Sequence, residues 1–148
     1  MAQSLAKLLV HLIFSTKNRQ PLIAPQARSE LHAYITGILK KLGCPSLQTG
    51  GTSNHIHVLF ALARTRSISE VVEETKKSSS KWMKAQGVAG FTWQAGYGAF
   101  SIGESQAKAV ISYIARQEEH HRHITFEQEF RRFLDRYGVE YDERYVWD

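Results

Sequence analysis

A chain of 148 residues with 43% hydrophobic composition can bury one well-packed core and is too short for two ordinary domains. Its formal charge of +5 and pI near 9.4, from 19 Lys and Arg against 14 Asp and Glu, favour a polyanionic partner, nucleic acid first, without requiring one. The single cysteine, Cys44, excludes an intrachain disulfide and an all-cysteine zinc site and fits the reducing cytoplasm, and the apolar run Leu8 to Phe14 is too short to cross a bilayer, so neither export nor a membrane is expected.

Residues Ala6 to Ser15 read as a continuous apolar strand, placed centrally because a strand covered on both faces loses its alternation. It leads into a polar, basic exit containing Lys17 and Arg19, which is either a solvated loop or a phosphate contact. From Pro25 to Leu42, apolar Leu31, Ile35, Ile38, Leu39 and Leu42 recur at helical spacing, and Gly43 supplies the stop. A short strand over Pro45 to Thr49 and a tight turn from Gly50 to Asn54 then lead into His55-Ile56-His57-Val58-Leu59-Phe60, so these two strands should pair as a hairpin. Alternation along this strand puts His55 and His57 on one face and Ile56, Val58 and Phe60 on the other. Two such histidines are half-buried strand residues or a metal-site candidate, and the pattern by itself does not separate the two.

After Arg64 and Arg66, Ser67 with Glu70 forms a capping-box pattern that opens a helix lasting to about Gln86. Lys76, Lys77, Lys81 and Lys84 make part of that helix strongly basic, either as a solvated face or as a backbone contact to nucleic acid. Phe91 to Ile102 reads as a fourth, irregular strand with glycines that permit a bulge or a close approach. The order βαββαβ predicts an α+β, ferredoxin-like fold: a four-stranded antiparallel sheet with two helices on one face and the other face open for a site. A third helix from Gly103 to about His123 carries Tyr113 and Gln117 at i and i+4, neighbours on one helical face. A short amphipathic C-terminal helix over about 125–137 is expected to be a packing element, with Glu127, Glu129, Arg131 and Arg132 mostly solvated. No linker divides the chain, so residues 1–148 are read as one domain.

Together these stretches resemble the small single-tyrosine transposases of bacterial insertion sequences, members of the HUH nuclease superfamily. The resemblance covers nearly the whole chain. It lies in Val10-His11-Leu12-Ile13-Phe14-Ser15-Thr16-Lys17-Asn18-Arg19, in Gly50 to Leu59 with its histidine-hydrophobic-histidine core, in Trp93 to Ser101, and in Tyr113-Ile114-Ala115-Arg116-Gln117-Glu118-Glu119-His120-His121. Asn54 departs from the Asp that relatives often carry before the first histidine.

The resemblance implies that His55, His57 and Gln117 hold Mg²⁺ or Mn²⁺ with positions left for phosphate oxygens, and that Tyr113 attacks phosphorus in single-stranded DNA. The implied product is a 5′-phosphotyrosine with a free 3′-hydroxyl, which a second 3′-hydroxyl later reverses to join new strands. Tyr97, between glycines on a strand, is the rival nucleophile. Lys17, Arg19, Arg64, Arg66, Lys76, Lys77 and Lys81 are the candidate DNA contacts. The implied partners are hairpin-containing element ends and a second copy of the chain, at the nucleoid in a bacterial cytoplasm, with the site either within one subunit or shared between two. Apolar surface from Trp93, Phe100 and Trp147 adds thin support for a homodimer. A non-catalytic single-stranded nucleic-acid-binding module of the same fold is the competing class, and it would stack bases on exposed aromatics such as Phe14 and Phe60. A phosphodiesterase using water is a third option, separated by whether a covalent DNA adduct forms.

Overall fold

β1 (Leu9–Ser15) is buried at every position, and this fixes the layout. In the computed structural model, which describes residues 1–148, β1 lies between β3 (His55–Ala61) and β4 (Gly98–Ile102), with β2 (Ser46–Gly51) beyond β3. All pairings are antiparallel, and the order β2-β3-β1-β4 is that of the ferredoxin-like fold. Val10, Leu12 and Phe14 of β1 join Ile56, Val58 and Phe60 of β3 under two helices, α1 (Pro25–Lys41) and α2 (Ile68–Ala85). Phe14 and Phe60 are wholly buried there and offer no platform for stacking bases, which removes the feature the binding-module reading needed.

The local signals that set the helices are visible. Pro25 occupies the first turn of α1, and α2 is closed by a complete capping box in which Ser67 accepts from the Glu70 amide and Glu70 from the Ser67 amide. The boundaries differ from the sequence expectation in three places. β1 begins at Leu9 rather than Ala6, because the residues before it are exposed. β2 runs on to Gly51, so the turn is shorter than expected. Of the expected strand from Phe91, only Gly98–Ile102 joins the sheet fully, and Trp93 makes a single bridge to Thr16. The Lys76 ammonium accounts for much of this, since it takes the carbonyls of Gln94, Ala95 and Gly96 at 2.8, 3.2 and 2.6 Å and so withdraws them from the ladder.

The second sheet face is not open. The expected helix over 103–123 is a 3-10 turn, then α3 (Ala107–Ala115), a break at Arg116 (φ −106°, ψ 24°) and the single turn α4 (Gln117–His120). Together with α5 (Phe126–Arg136), α3 covers this face. Leu9 and Leu59 pack with Ala107 and Ile114, and Ile13 packs with Phe126, Phe130 and Leu134. Two glycines allow the approach: a Cβ on Gly50 would lie 2.5 Å from the Ile114 carbonyl oxygen, and one on Gly98 would lie 2.6 Å from the Phe130 ring. Trp93 and Phe100 are buried within the chain and Trp147 packs beside α5, so the apolar surface invoked for a dimer is consumed internally.

Candidate active site

Between the sheet and α3–α5 lies a layer of polar groups that alternation along two strands makes unavoidable. His11 and Ser15 of β1, and His55 and His57 of β3, point to this side, and all four are buried. His55 and His57 are side by side, with ring centroids 5.2 Å apart. Burial holds the His11 and His55 imidazoles well below the ordinary histidine value, so both are neutral at pH 7.

Glu129 organises the layer. The sequence reading placed it among solvated residues of the C-terminal helix, but it is 2% exposed and α5 delivers its carboxylate to the centre of the site. One oxygen, Oε1, accepts from His57 Nε2 at 2.8 Å and lies 3.1 Å from His121 Nε2 and 3.8 Å from His55 Nε2. The other, Oε2, accepts from the Tyr113 hydroxyl and from the Gln117 amide at 3.1 Å, and lies 3.2 Å from His120 Nε2. Burial opposes ionisation of this carboxyl, but His57 and the remaining imidazoles outweigh it and hold the group well below the usual carboxylate range. Tyr113 shows the reverse: burial and then the neighbouring carboxylate push its hydroxyl far above the ordinary phenol value, so it is fully protonated at rest.

Tyr113, Gln117, His55 and His57 are thus brought together within one chain. Tyr113 and Gln117 do not share one continuous helix as expected. The break at Arg116 lies between them, and they converge because both reach the same Glu129 oxygen. His11 extends the layer, its Nε2 lying 2.8 Å from His57 Nδ1. Glu129, His11, His120 and His121 had no assigned role in the sequence reading. Glu129 left a trace there: it is a carboxylate in phase with the apolar stripe of Phe126, Phe130, Phe133 and Leu134.

The donor set suits a divalent cation. One ligand atom each from His55, His57, His121 and Glu129 lies within 4.8 Å of the others. His121 Nε2 is buried without a hydrogen bond, despite its nearness to the carboxylate. His55 is sharper still. Its Nδ1 faces Asn54 Oδ1 at 2.8 Å and its Nε2 faces Gln117 Oε1 at 2.9 Å, yet a neutral imidazole has one proton to give. The Gln117 amide cannot be turned to help, because its nitrogen is committed to Glu129. With Nδ1–H serving Asn54 and the Thr52 hydroxyl 3.0 Å away, the Nε2 lone pair faces the Gln117 oxygen, and a cation on Nε2 removes that conflict. Asn54 therefore supplies the oxygen that faces His55 Nδ1, and its amide nitrogen also reaches the Arg19 carbonyl at 3.4 Å.

The basic candidates fall in separate places. Arg19 lines a polar groove beside the site together with Arg28, His121 and Arg122, and its guanidinium lies over the Trp147 ring at 5.4 Å. Lys17 is exposed in the same loop, where Asn18 and Arg19 both adopt left-handed backbone. Arg64 and Arg66 are exposed in the loop after β3, and Lys77 and Lys81 are exposed on α2, on the opposite side of the sheet from the histidines. Lys76 is committed to its three carbonyls. Tyr97, the rival nucleophile, lies beside Lys76 away from the histidines.

A family model described as "Transposase IS200 like" matches residues 4–117. Among solved structures, the fold is similar to that of a candidate transposase from Deinococcus radiodurans R1, with TM-score 0.62 and 20% identity over 79% of this chain and 98% of that one. It is also similar to a REP-associated tyrosine transposase bound to a REP hairpin, with TM-score 0.61 and 17% identity over 96% of this chain and 90% of the other. No curated protein gives a match. The matched segment ends at Gln117, so Glu129 and His121 lie beyond it.

Proposed function

Since the chain belongs to the IS200-like transposase family and is a DNA transposase, we infer that it cuts and rejoins single-stranded DNA through Tyr113. The observation that carries this reading is the meeting of the Tyr113 hydroxyl and His57 Nε2 on the two oxygens of one buried carboxylate, Glu129, beside His55. Tyr113 Oη attacks the phosphorus of a strand laid against the site, the P–O3′ bond breaks, and the product is a 5′-phosphotyrosine with a free 3′-hydroxyl. Glu129 Oε2, already accepting from the phenol, is placed to receive its proton as the P–O bond forms. His55, His57 and Gln117, with His121 and Glu129 alongside, would hold Mg²⁺ or Mn²⁺, the nitrogen-rich set favouring Mn²⁺, and the bound ion would polarise the phosphodiester.

The substrate is single-stranded DNA at hairpin-bearing element ends, in keeping with the hairpin on the REP-associated neighbour, in the bacterial cytoplasm at the nucleoid. Arg19 and Lys17 guide the strand at the groove beside His121, whereas Arg64, Arg66, Lys77 and Lys81 contact DNA further from the cut. The complete constellation in one chain supports catalysis within a subunit. A homodimer would then hold two DNA ends for exchange rather than complete the site.

The test is incubation of the chain with single-stranded hairpin DNA and Mn²⁺, followed by denaturing electrophoresis. A denaturation-resistant protein–DNA band is expected from the native chain and none from Tyr113→Phe, which keeps shape and DNA binding. A band of equal intensity from Tyr113→Phe, or equal cleavage of duplex and single strand, would refute the reading.

A further inference from the structure

A second cavity, of about 370 Å³, opens between α3 and α5, with Tyr113 and Glu129 in its wall and Ile124 shared with the polar groove. We propose that it receives one nucleobase of the strand being cut, next to the phosphate that Tyr113 attacks; this rests on the strand-cleavage reading above. The volume lies at the low end of ligand sites, enough for one nucleotide unit and too small for a duplex. Its walls include the half-buried rings of Tyr113, Phe133 and Tyr137, and aromatic rings are the general surface on which unpaired bases stack.

One wall is polar and unsatisfied. His11 is 1% exposed, borders the cavity, and its Nδ1 has no hydrogen-bond partner. The hydrogen-bond chain fixes what this atom offers. Without a cation, His57 donates from Nε2 to Glu129, accepts at Nδ1 from His11 Nε2–H and leaves His11 Nδ1 a bare acceptor. With its Nε2 on a cation, His57 donates from Nδ1 to His11 Nε2 and leaves His11 Nδ1–H a bare donor. A buried ring nitrogen without a partner is costly in either state, and base edges carry both the donors and the acceptors that would supply one. At the rim, Arg132 and Arg136 are exposed cations able to take the phosphates that flank such a base. Tyr113 and Glu129 line the same cavity, so a base seated in it is continuous with the reacting phosphodiester rather than with a remote part of the strand.

The experiment titrates the chain, in EDTA, with dAMP, dGMP, dCMP and TMP, and with 2-deoxyribose 5-phosphate as the base-free control, following the His11 imidazole nitrogens and the Phe133 ring by NMR. At least one nucleotide is expected to move both sets of signals with affinity at least tenfold above the control. Ala109→Trp, which places bulk at an exposed rim position of the cavity, should abolish that difference. Equal binding of the base-free sugar phosphate, no shift at His11 with any nucleotide, or a base-dependent shift that survives Ala109→Trp would each overturn the proposal. No cleavage is needed for this readout, so it stands or falls separately from formation of the Tyr113 adduct.

Discussion

The two faces of the sheet are built from the same two strands and have opposite chemistry. On one face, Leu12, Phe14, Ile56, Val58 and Phe60 meet α1 and α2 in a continuous apolar core. On the other, the apolar packing is split into two smaller clusters, and between them run His11, His55, His57, Gln117 and Glu129. The first face gains stability from every methylene it buries. The second gives up that gain to bury imidazoles, which burial keeps neutral, around a carboxylate held charged out of water, which burial alone opposes. Function has been placed where the fold is least self-satisfied.

The sharpest way to break this comparison is to cut each face. Phe14→Ala should cost about 3–5 kcal/mol, since the ring is fully buried under α2, with Trp93 against its edge. Thermal unfolding should show a fall of roughly 10 °C, with covalent activity at low temperature retained in the folded fraction. His57→Ala should do the reverse. Adduct formation should drop at least 100-fold, about 2.7 kcal/mol, and Mn²⁺ affinity measured by calorimetry should fall, with a smaller change in melting temperature than Phe14→Ala gives. Unchanged Mn²⁺ affinity would tell against the metal site.

Acid separates the faces without mutation. His11 and His55 have folded pKa values held below the unfolded value by burial, so the unfolded chain binds more protons than the folded one below about pH 6.5. Their contribution is therefore intact above that pH and is lost as pH falls, at a rate approaching 1.4 kcal/mol per pH unit for each histidine, roughly. Glu129 acts in the same direction at lower pH, because its folded pKa is depressed and protonation removes its favourable pairing. In EDTA, hydrogen exchange should show α5 amides losing protection before those of α1 as pH drops from 7 to 5. Simultaneous loss on both sides would contradict the division.

Much of the apolar face was legible in the sequence because period and caps speak locally. The helical spacing of Leu31, Ile35 and Leu39, the Ser67–Glu70 capping box and the uninterrupted apolar β1 each determine their own element. The histidine face was legible only in part. His55 and His57 follow from strand alternation, and Tyr113 and Gln117 from their i, i+4 spacing, with their roles supplied by the family resemblance. The helix break at Arg116 has no proline or glycine to announce it. The fourth strand was drawn too long because the agent that diverts its backbone, Lys76, sits in another element. Glu129 was taken for a solvated residue because its neighbours Glu127, Arg131 and Arg132 are polar, and only its phase with Phe126, Phe130 and Phe133 marked it as inward.

The smallest expected effects sharpen the comparison on α2, where adjacent lysines have unlike roles. Lys76 is partly buried, burial lowers its ammonium to about 8, and its three carbonyl contacts and its place 5.2 Å from the Phe14 ring make it part of the apolar face's architecture. Lys76→Met should therefore cost about 1 kcal/mol of stability, since carbonyls 94–96 lose their donor while the stem's packing is kept. Lys77 and Lys81 are exposed and touch none of those carbonyls, so Lys77→Ala with Lys81→Ala should leave the melting temperature within about 2 °C. Their effect belongs in the salt dependence of DNA binding. Each phosphate contact removed from a paired hairpin stem should reduce the slope of log K against log salt by about 0.9, and by about 0.7 on a single strand. Lys76→Met should leave that slope alone. A slope unchanged by the double substitution would take Lys77 and Lys81 out of the DNA path and leave the basic side of α2 as a solvated face, with the strand held from the histidine side alone.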